Sequence, residues 1–226
     1  MVNRIWIKKN LHYYFWASYR RKILDKLLEK NKNYYQGIVL DIGGRDRGKF
    51  KKPKDRVEKW IFADIEERHN PDVILDVCNM DKIKDESIDV ISAIELFEHV
   101  EDPEQGLREC YRVLKRDGVM ILSVPFLYPI HSDPYDFQRW TEDKWKKILS
   151  EIGFRIEKFE IMGRYFTTIL EYKKILIQQF PFGLRRFCKL FYPIMDLFVK
   201  LDNTKIIKNN LKLSKFHGGY FIILRK

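Results

Sequence analysis

Five short apolar runs recur through the middle of the chain: IVL (38–40), WIFA (60–63), VIL (73–75), VISAI (90–94) and VMILSV (119–124). Each is continuous rather than alternating, as expected of strands buried on both faces of a parallel sheet. Two helices are signalled beside them. Asp102 and Pro103 supply an N-cap and a first-turn proline, with Gln105 three residues after the cap. Leu107, Cys110, Tyr111 and Leu114 follow at helical spacing, and Gly118 is the expected stop. Thr141 caps the next helix, whose inner stripe is Trp145, Ile148, Leu149 and Ile152 and whose end is Gly153. A strand near 154–161 and a final one in HGGYFIILRK complete the pattern. Strand–helix–strand order predicts a doubly wound α/β domain.

The spacing divides the chain into four parts: an N-terminal helical arm over 1–35, an α/β core over 36–163, an insertion over 164–216, and the last core strand over 217–226. A compact sheet does not need the insertion, and its apolar, patterned character favours a function for it. Charge follows the same division. Of the net +11, residues 1–36 carry +7 and residues 164–226 carry +10, while 37–163 carry −6. An acidic body between two basic arms suits an anionic partner surface, lipid headgroups or nucleic acid, although solvated surface lysines give the same arithmetic.

Hydrophobic residues at 45% and aromatics at 15% exclude a disordered tail protein. No apolar run approaches the ~18–20 residues that span a bilayer. The N-terminal stretch lacks the apolar block and cleavage site of a signal peptide. Cys78, Cys110 and Cys188 are scattered, which argues against a disulfide scaffold or zinc ribbon and suits a reducing cytoplasm.

The strongest local motif is VLDIGGRDRG (39–48), a buried strand running into a Gly-rich turn. Gly43 and Gly44 let a backbone approach a ligand closely, and Asp41 can order the turn. Taken alone the pair is equally a plain tight turn. Neither phosphate-binding pattern is present, so a ligand without phosphate is the more natural occupant. FADIEE places Asp64 at the second strand's end, where a carboxylate can receive a ribose diol. Asp76 ends the third strand, so three carboxylates share the ligand-binding edge of the sheet.

Together VLDIGGRDRG, FADIEE, ILDVCNM and IDVISAIELFEHVEDPEQGLRECYRVLKRDGVMILSVPF resemble the class I S-adenosylmethionine-dependent methyltransferases, type 11-like, over about 36–161 and 217–226. The resemblance implies the family's seven-stranded Rossmann-like sheet and S-adenosyl-L-methionine as cofactor. It implies that Asp41, Gly43 and Gly44 form the methionine-side loop, that Asp64 with Ile65 binds the ribose, and that Asp76 and Val77 flank the adenine. Glu95 would lie near the sulfonium. Arg45 stands where many members have a second glycine, and RGKFKKPKDRVEKW is short and Pro-broken for a first crossover helix.

After the fifth strand, SVPFLYPIHSDPYDFQRWT (123–141) is similar to a P-x-H-x-x-P-x-D-x-x-R-F/W-T-like run in relatives from surface-polysaccharide and small-molecule pathways. An alcohol acceptor needs a base, and His131 is the expected general base, oriented by Asp136 or Asp133. Tyr128, Asp133, Tyr135, Arg139 and Trp140 are candidate acceptor contacts, since aromatics beside polar groups suit a sugar ring. The bland reading is that His131 and Asp136 only peg the loop. His99 is read as ordering the turn after the fourth strand. No metal is expected, because no spacing fixes a ligand set.

The arms mix Lys and Arg with bulky apolar residues, as in RIWIKKNLHYYFWASYRRKILDKLL and KKILIQQFPFGLRRFCKLFYPIMDLFVKL, with Pro181 and Pro193 breaking the second. They suit either a peripheral position on an anionic, cytoplasmic membrane face or a lid over the site. The leading function is O-methylation of a sugar or lipid-linked glycan intermediate. Methylation of a quinone-like or other lipophilic small molecule, or of RNA, stands behind it, as does a cofactor-binding scaffold without catalysis. RNA is disfavoured because IELFEHV replaces the Asp/Asn-Pro-Pro-Phe/Tyr turn of base-amine enzymes and no RNA-binding module is evident. Oligomeric state is not legible.

Overall fold

The computed structural model describes residues 10–44 and 48–226. Seven strands form one sheet: β1 (Gly37–Ile42), β2 (Val57–Asp64), β3 (Val73–Ile74), β4 (Ile88–Ile94), β5 (Leu114–Pro125), β6 (Arg155–Ile161) and β7 (Gly219–Arg225). Their order across the sheet is β3-β2-β1-β4-β5-β7-β6. The first five strands pair in parallel, and β7 runs antiparallel to β5 and β6. The five apolar runs are five of these strands, and the two C-terminal strands also lie where the patterning put them.

Alternate residues of β1, β2, β4, β5 and β7 feed two cores. Leu40, Ile42, Ile91, Ala93, Met120 and Leu122 face one side, where they meet Leu107 and Cys110 of α2 (Pro103–Val113) and Trp145, Ile148 and Leu149 of α3 (Glu142–Ile152). Val39, Val90, Ile121, Phe221 and Ile223 face the other, against Leu24, Leu27 and Leu28 of α1 (Tyr19–Lys30). The apolar runs are therefore unbroken because both faces are covered, and α1 of the N-terminal arm is one of the covering helices.

Asp102 caps α2 by accepting from the Gln105 N–H at 3.0 Å, and Thr141 caps α3. Gly153, at φ 112°, ends α3 in the left-handed conformation that glycine tolerates best. The stop of α2 needs correction: the helix ends at Val113, and Gly118 lies inside β5. Leu114 turns extended (φ −67°, ψ 136°) and pairs with Ile88, so a sheet contact ends the helix before the glycine is reached. No helix forms over the described residues 48–56, in keeping with the Pro-broken crossover.

The insertion folds as α4 (Tyr165–Gln179), α5 (Phe182–Lys189), α6 (Tyr192–Leu201) and α7 (Lys205–Lys208). Pro181 precedes α5 and Pro193 opens α6. The Asp202 carboxylate accepts from the backbone N–H groups of Arg164, Phe166 and Thr167, satisfying the first turn of α4.

The two basic arms, far apart in sequence, meet. Glu171 of α4 accepts from the Tyr19 N–H at 2.5 Å, at the start of α1, and Lys174 donates to the Ala17 carbonyl at 2.6 Å. Tyr19, Leu170, Tyr192 and Met195 form a third small core around that junction. Burial there lowers the Lys174 pKa to about 8. No helix of the described residues is long and apolar enough to cross a membrane.

Candidate active site

A cavity of about 940 Å³ opens at the C-terminal edge of the parallel strands. That edge is where open α/β sheets bind ligands. Its walls include Asp41 near the end of β1 with Gly43 and Gly44 beyond it, Asp64 as the last residue of β2 with Ile65 beyond it, Asp76 and Val77 after β3, and Glu95 after β4. All eight residues implied by the resemblance are therefore brought to one cavity by parallel strand order.

The local geometry fits an S-adenosylmethionine-sized guest. Gly43 has φ 67°, the left-handed region where a side chain is strained. A Cβ on Gly44 would lie 2.1 Å from the Asp41 carboxyl carbon, so any larger residue there must displace the Asp41 carboxylate. Asp41 is paired with Lys52 at 2.8 Å. Arg45 lies outside the described residues. Asp64 accepts from the Glu66 N–H at 2.9 Å and contacts His69 Nδ1 at 3.0 Å, which fixes its carboxylate at the cavity wall. Asp76 accepts from the Cys78 N–H at 2.8 Å, two residues beyond β3.

Glu95 is held under strain, with φ 56° on a residue other than glycine. Its carboxylate accepts from Ser123 Oγ at 2.8 Å and forms an ion pair with Arg20 of α1. Burial pushes the Glu95 pKa up, but Arg20 and Ser123 pull harder, and the net shift is downward. Arg20 also lies over the Tyr128 ring, 4.4 Å from its centroid. Sequence reading missed Arg20, because nothing in a basic helix marks which arginine turns inward.

The loop after β5 forms the far end of the cavity and is pinned to the turn after β4. Gln138 Nε2 donates to the carbonyls of Phe97 (2.9 Å) and Val100 (2.8 Å), and the Phe137 N–H donates to the Glu98 carbonyl at 2.8 Å. This places His131 beside His99, ring centroids 5.2 Å apart. Tyr128, His131, Asp133 and Tyr135 line the cavity, whereas Asp136, Arg139 and Trp140 do not. Asp136 accepts from the His131 N–H at 2.8 Å and is doubly bonded to Arg139. Despite partial burial, Arg139 and that N–H hold the Asp136 pKa down to about 2. Its hold on His131 is mainly through the backbone, the Nδ1 contact being 3.5 Å. Trp140 packs on Trp145 of α3, centroids 4.7 Å apart.

Glu98 lies behind the two histidines, 2% exposed, with neither carboxylate oxygen hydrogen-bonded among the described residues. Burial, and the negative charge of Glu95, push its pKa well up. Burial also lowers the His131 pKa below its ordinary value, which keeps the imidazole neutral and its lone pair available near neutral pH. The sequence reading passed over Glu98, since a glutamate in an acidic turn reads as surface.

The strand order and this strand-end cavity define the class I methyltransferase fold. Residues 51–122 match the family model Methyltransf_11, a methyltransferase domain. Among solved structures, the chain is similar to a SAM-dependent methyltransferase from Archaeoglobus fulgidus (TM-score 0.55, 18% identity, 97% of this chain and 99% of that one). It is also similar to a putative methyltransferase from Bacillus halodurans C-125 (0.53, 17%, 89% and 98%). The cyclase SpnF shares the fold as well (0.58, 16%, 90% and 79%). At such identities these likenesses speak for the fold alone. No curated protein matches the sequence. The chain thus has the class I methyltransferase fold, and residues 51–122 match a methyltransferase domain that takes S-adenosylmethionine as cofactor.

Proposed function

We propose that the enzyme O-methylates a hydroxyl of a sugar or lipid-linked glycan intermediate at an anionic, cytoplasmic membrane face. One observation carries the acceptor reading: the cavity's far end sets Tyr128 and Tyr135 beside Asp133, His99 and His131. Flat rings with hydrogen-bonding groups between them suit a sugar ring, whose faces are apolar and whose edge is hydroxylated. S-adenosylmethionine supplies an electrophilic methyl group on sulfur, and the acceptor oxygen displaces that sulfur in line. Such a displacement depends on alignment, which the pinned loop after β5 favours.

The acceptor proton has a destination at the same end. His131 Nδ1 contacts the Pro129 carbonyl at 3.1 Å, so Nδ1 carries the hydrogen and Nε2 presents a lone pair. Asp136 fixes the backbone of that residue and so serves as a positioning group.

The membrane reading rests on the insertion. Phe182, Leu184, Phe187, Leu190, Phe191, Ile194 and Leu197 on and between α5 and α6 are exposed, beside Arg185, Arg186 and Lys189. Apolar faces flanked by basic side chains partition to anionic interfaces. Helix α4, which contributes Ile175 and Gln178 to the cavity wall, leads directly into this surface. A lipid-linked acceptor would thus meet the site where it leaves the bilayer.

The test supplies S-adenosylmethionine with sugar, lipid-linked sugar and quinol acceptors. Methyl transfer to the sugar hydroxyl is expected, and transfer to the quinol alone overturns the acceptor reading. Vesicle sedimentation checks the membrane reading: binding to anionic vesicles that weakens with salt supports it, and equal binding to neutral vesicles removes it.

A further inference from the structure

Glu98, His99 and His131 each offer one ligand atom to a common point, and these atoms lie within 4.8 Å of one another. Glu98 Oε1 is 3.7 Å from His99 Nε2 and 3.9 Å from His131 Nε2. Three features separate this cluster from a chance meeting of polar side chains.

First, both histidines have their outer nitrogen committed. His99 Nδ1 donates to the Tyr135 carbonyl at 2.5 Å and His131 Nδ1 to the Pro129 carbonyl at 3.1 Å. A backbone carbonyl holding one ring nitrogen so that the other turns inward is the outer-partner arrangement of metal-ligating histidines. Second, Glu98 is buried with both carboxylate oxygens unpartnered. An orphaned buried carboxylate is costly unless a proton or a cation meets it. Third, the two segments bearing the ligands are locked together by the Gln138 and Phe137 hydrogen bonds, so the cluster is built rather than collapsed.

The geometry points to a divalent transition-metal site formed by Glu98 Oε1, His99 Nε2 and His131 Nε2, open toward the cavity. Metal bonds of about 2.0–2.2 Å at tetrahedral angles put ligand atoms roughly 3.4 Å apart, a few tenths of an ångström inside the two glutamate–histidine spacings and within the 4.8 Å that bounds all three. Two imidazoles and one carboxylate suit zinc, manganese, iron or cobalt better than magnesium or calcium, which prefer all-oxygen sets. Three protein ligands leave a position open, as in catalytic sites.

The inference rests on the hydroxyl-acceptor reading and changes one step of it. With an ion in place, the His131 lone pair is a ligand, and the acceptor hydroxyl takes the open position. The ion lowers the hydroxyl pKa, the O–H proton leaves to solvent, and the oxygen forms its bond to the methyl carbon as the C–S bond breaks and its pair stays on sulfur. No oxidant or reductant is needed. Without an ion, His131 takes the proton directly.

The experiment titrates the full chain, stripped by a chelator, with Co2+ alone. The expected result is one Co2+ per chain with a visible d–d band, no thiolate charge-transfer band, and displacement by Zn2+. Glu98→Gln, His99→Ala and His131→Ala should each weaken binding by at least roughly 100-fold, beyond the 10–100-fold cost of losing an outer partner. His131 is partly exposed, so its variant remains informative if the buried Glu98 variant fails to fold. No binding at millimolar Co2+, or binding indifferent to all three substitutions, overturns the site. A stripped enzyme that methylates the sugar hydroxyl at full rate and binds no Co2+ removes the metal and leaves the acceptor reading standing. Tight Co2+ binding by an enzyme that methylates no hydroxyl does the reverse.

Discussion

Replacing Arg20 with methionine should destabilise the enzyme far more than a surface substitution, and in a pH-dependent way. Methionine keeps most of the apolar stem but removes the guanidinium from Glu95. Arg20 is 8% exposed, and its loss leaves the Glu95 carboxylate with the Ser123 hydroxyl as its remaining hydrogen-bond partner among the described residues. Breaking one side of a buried pair costs about 3–5 kcal/mol, and the slight exposure of Glu95 favours the lower figure, ~3 kcal/mol. For a chain of this size each kcal/mol moves Tm by about 2–4 °C, so a fall of roughly 6–12 °C is expected at pH 7.

The pH dependence follows from Glu95. In the parent its pKa is depressed, so its stabilisation is present above the unfolded carboxylate value and is lost as pH falls through the folded one. In Arg20→Met, burial is opposed only by the Ser123 hydroxyl and the charge of Arg21, so the folded pKa rises and the variant loses stability as pH rises above about 4.3. The Tm gap should therefore widen from pH 4.5 to pH 7. Thermal unfolding at both values reads it, and the double variant with Glu95→Gln should recover most of the loss by removing the stranded charge. A gap under 2 °C at pH 7, or one that does not widen with pH, would refute the reasoning.

Gly44→Ala should raise the Kd for S-adenosylmethionine by at least ~10-fold, because the new Cβ must displace the Asp41 carboxylate from 2.1 Å; calorimetry showing parent affinity would count against the turn's role. Asp64→Ala should weaken the same binding by roughly 10–100-fold, the worth of a hydrogen bond to a charged group, read by the same calorimetry. Lys174, folded pKa about 8, is depressed below its unfolded value, so the unfolded chain holds the extra proton between about pH 8 and 10 and stability from this group rises across that window. Lys174→Met should flatten that rise in denaturant titrations, and an unchanged slope would contradict the burial argument. Phe187→Glu with Phe191→Glu should abolish vesicle binding while leaving S-adenosylmethionine affinity intact, since neither residue lines the cavity.

Unbroken apolar runs identified the sheet because strands covered on both faces carry no alternation, and Asp102 and Thr141 marked helix starts because capping is local. The convergence of the candidate cofactor residues on one cavity was legible for a related reason. Parallel strands bring the residues after each one to a common edge, so Asp41, Asp64, Asp76 and Glu95 converge without any long-range contact being known. The end of α2 was not legible, since pairing of Leu114 with Ile88 depends on a neighbour far along the chain.

Tertiary structure alone decided the rest. Charge arithmetic separated two basic arms, and the fold joined them through Glu171, Lys174 and the Tyr19 core. Which arginine entered the site was set by how α1 lies on the sheet. Glu98, His99 and His131 come from two loops joined by Gln138, and their meeting has no signature in spacing. Sequence determines what each strand presents at its end, because that is a matter of local order. Only packing determines which loop closes over that end, because loop position depends on contacts between residues that no short pattern relates.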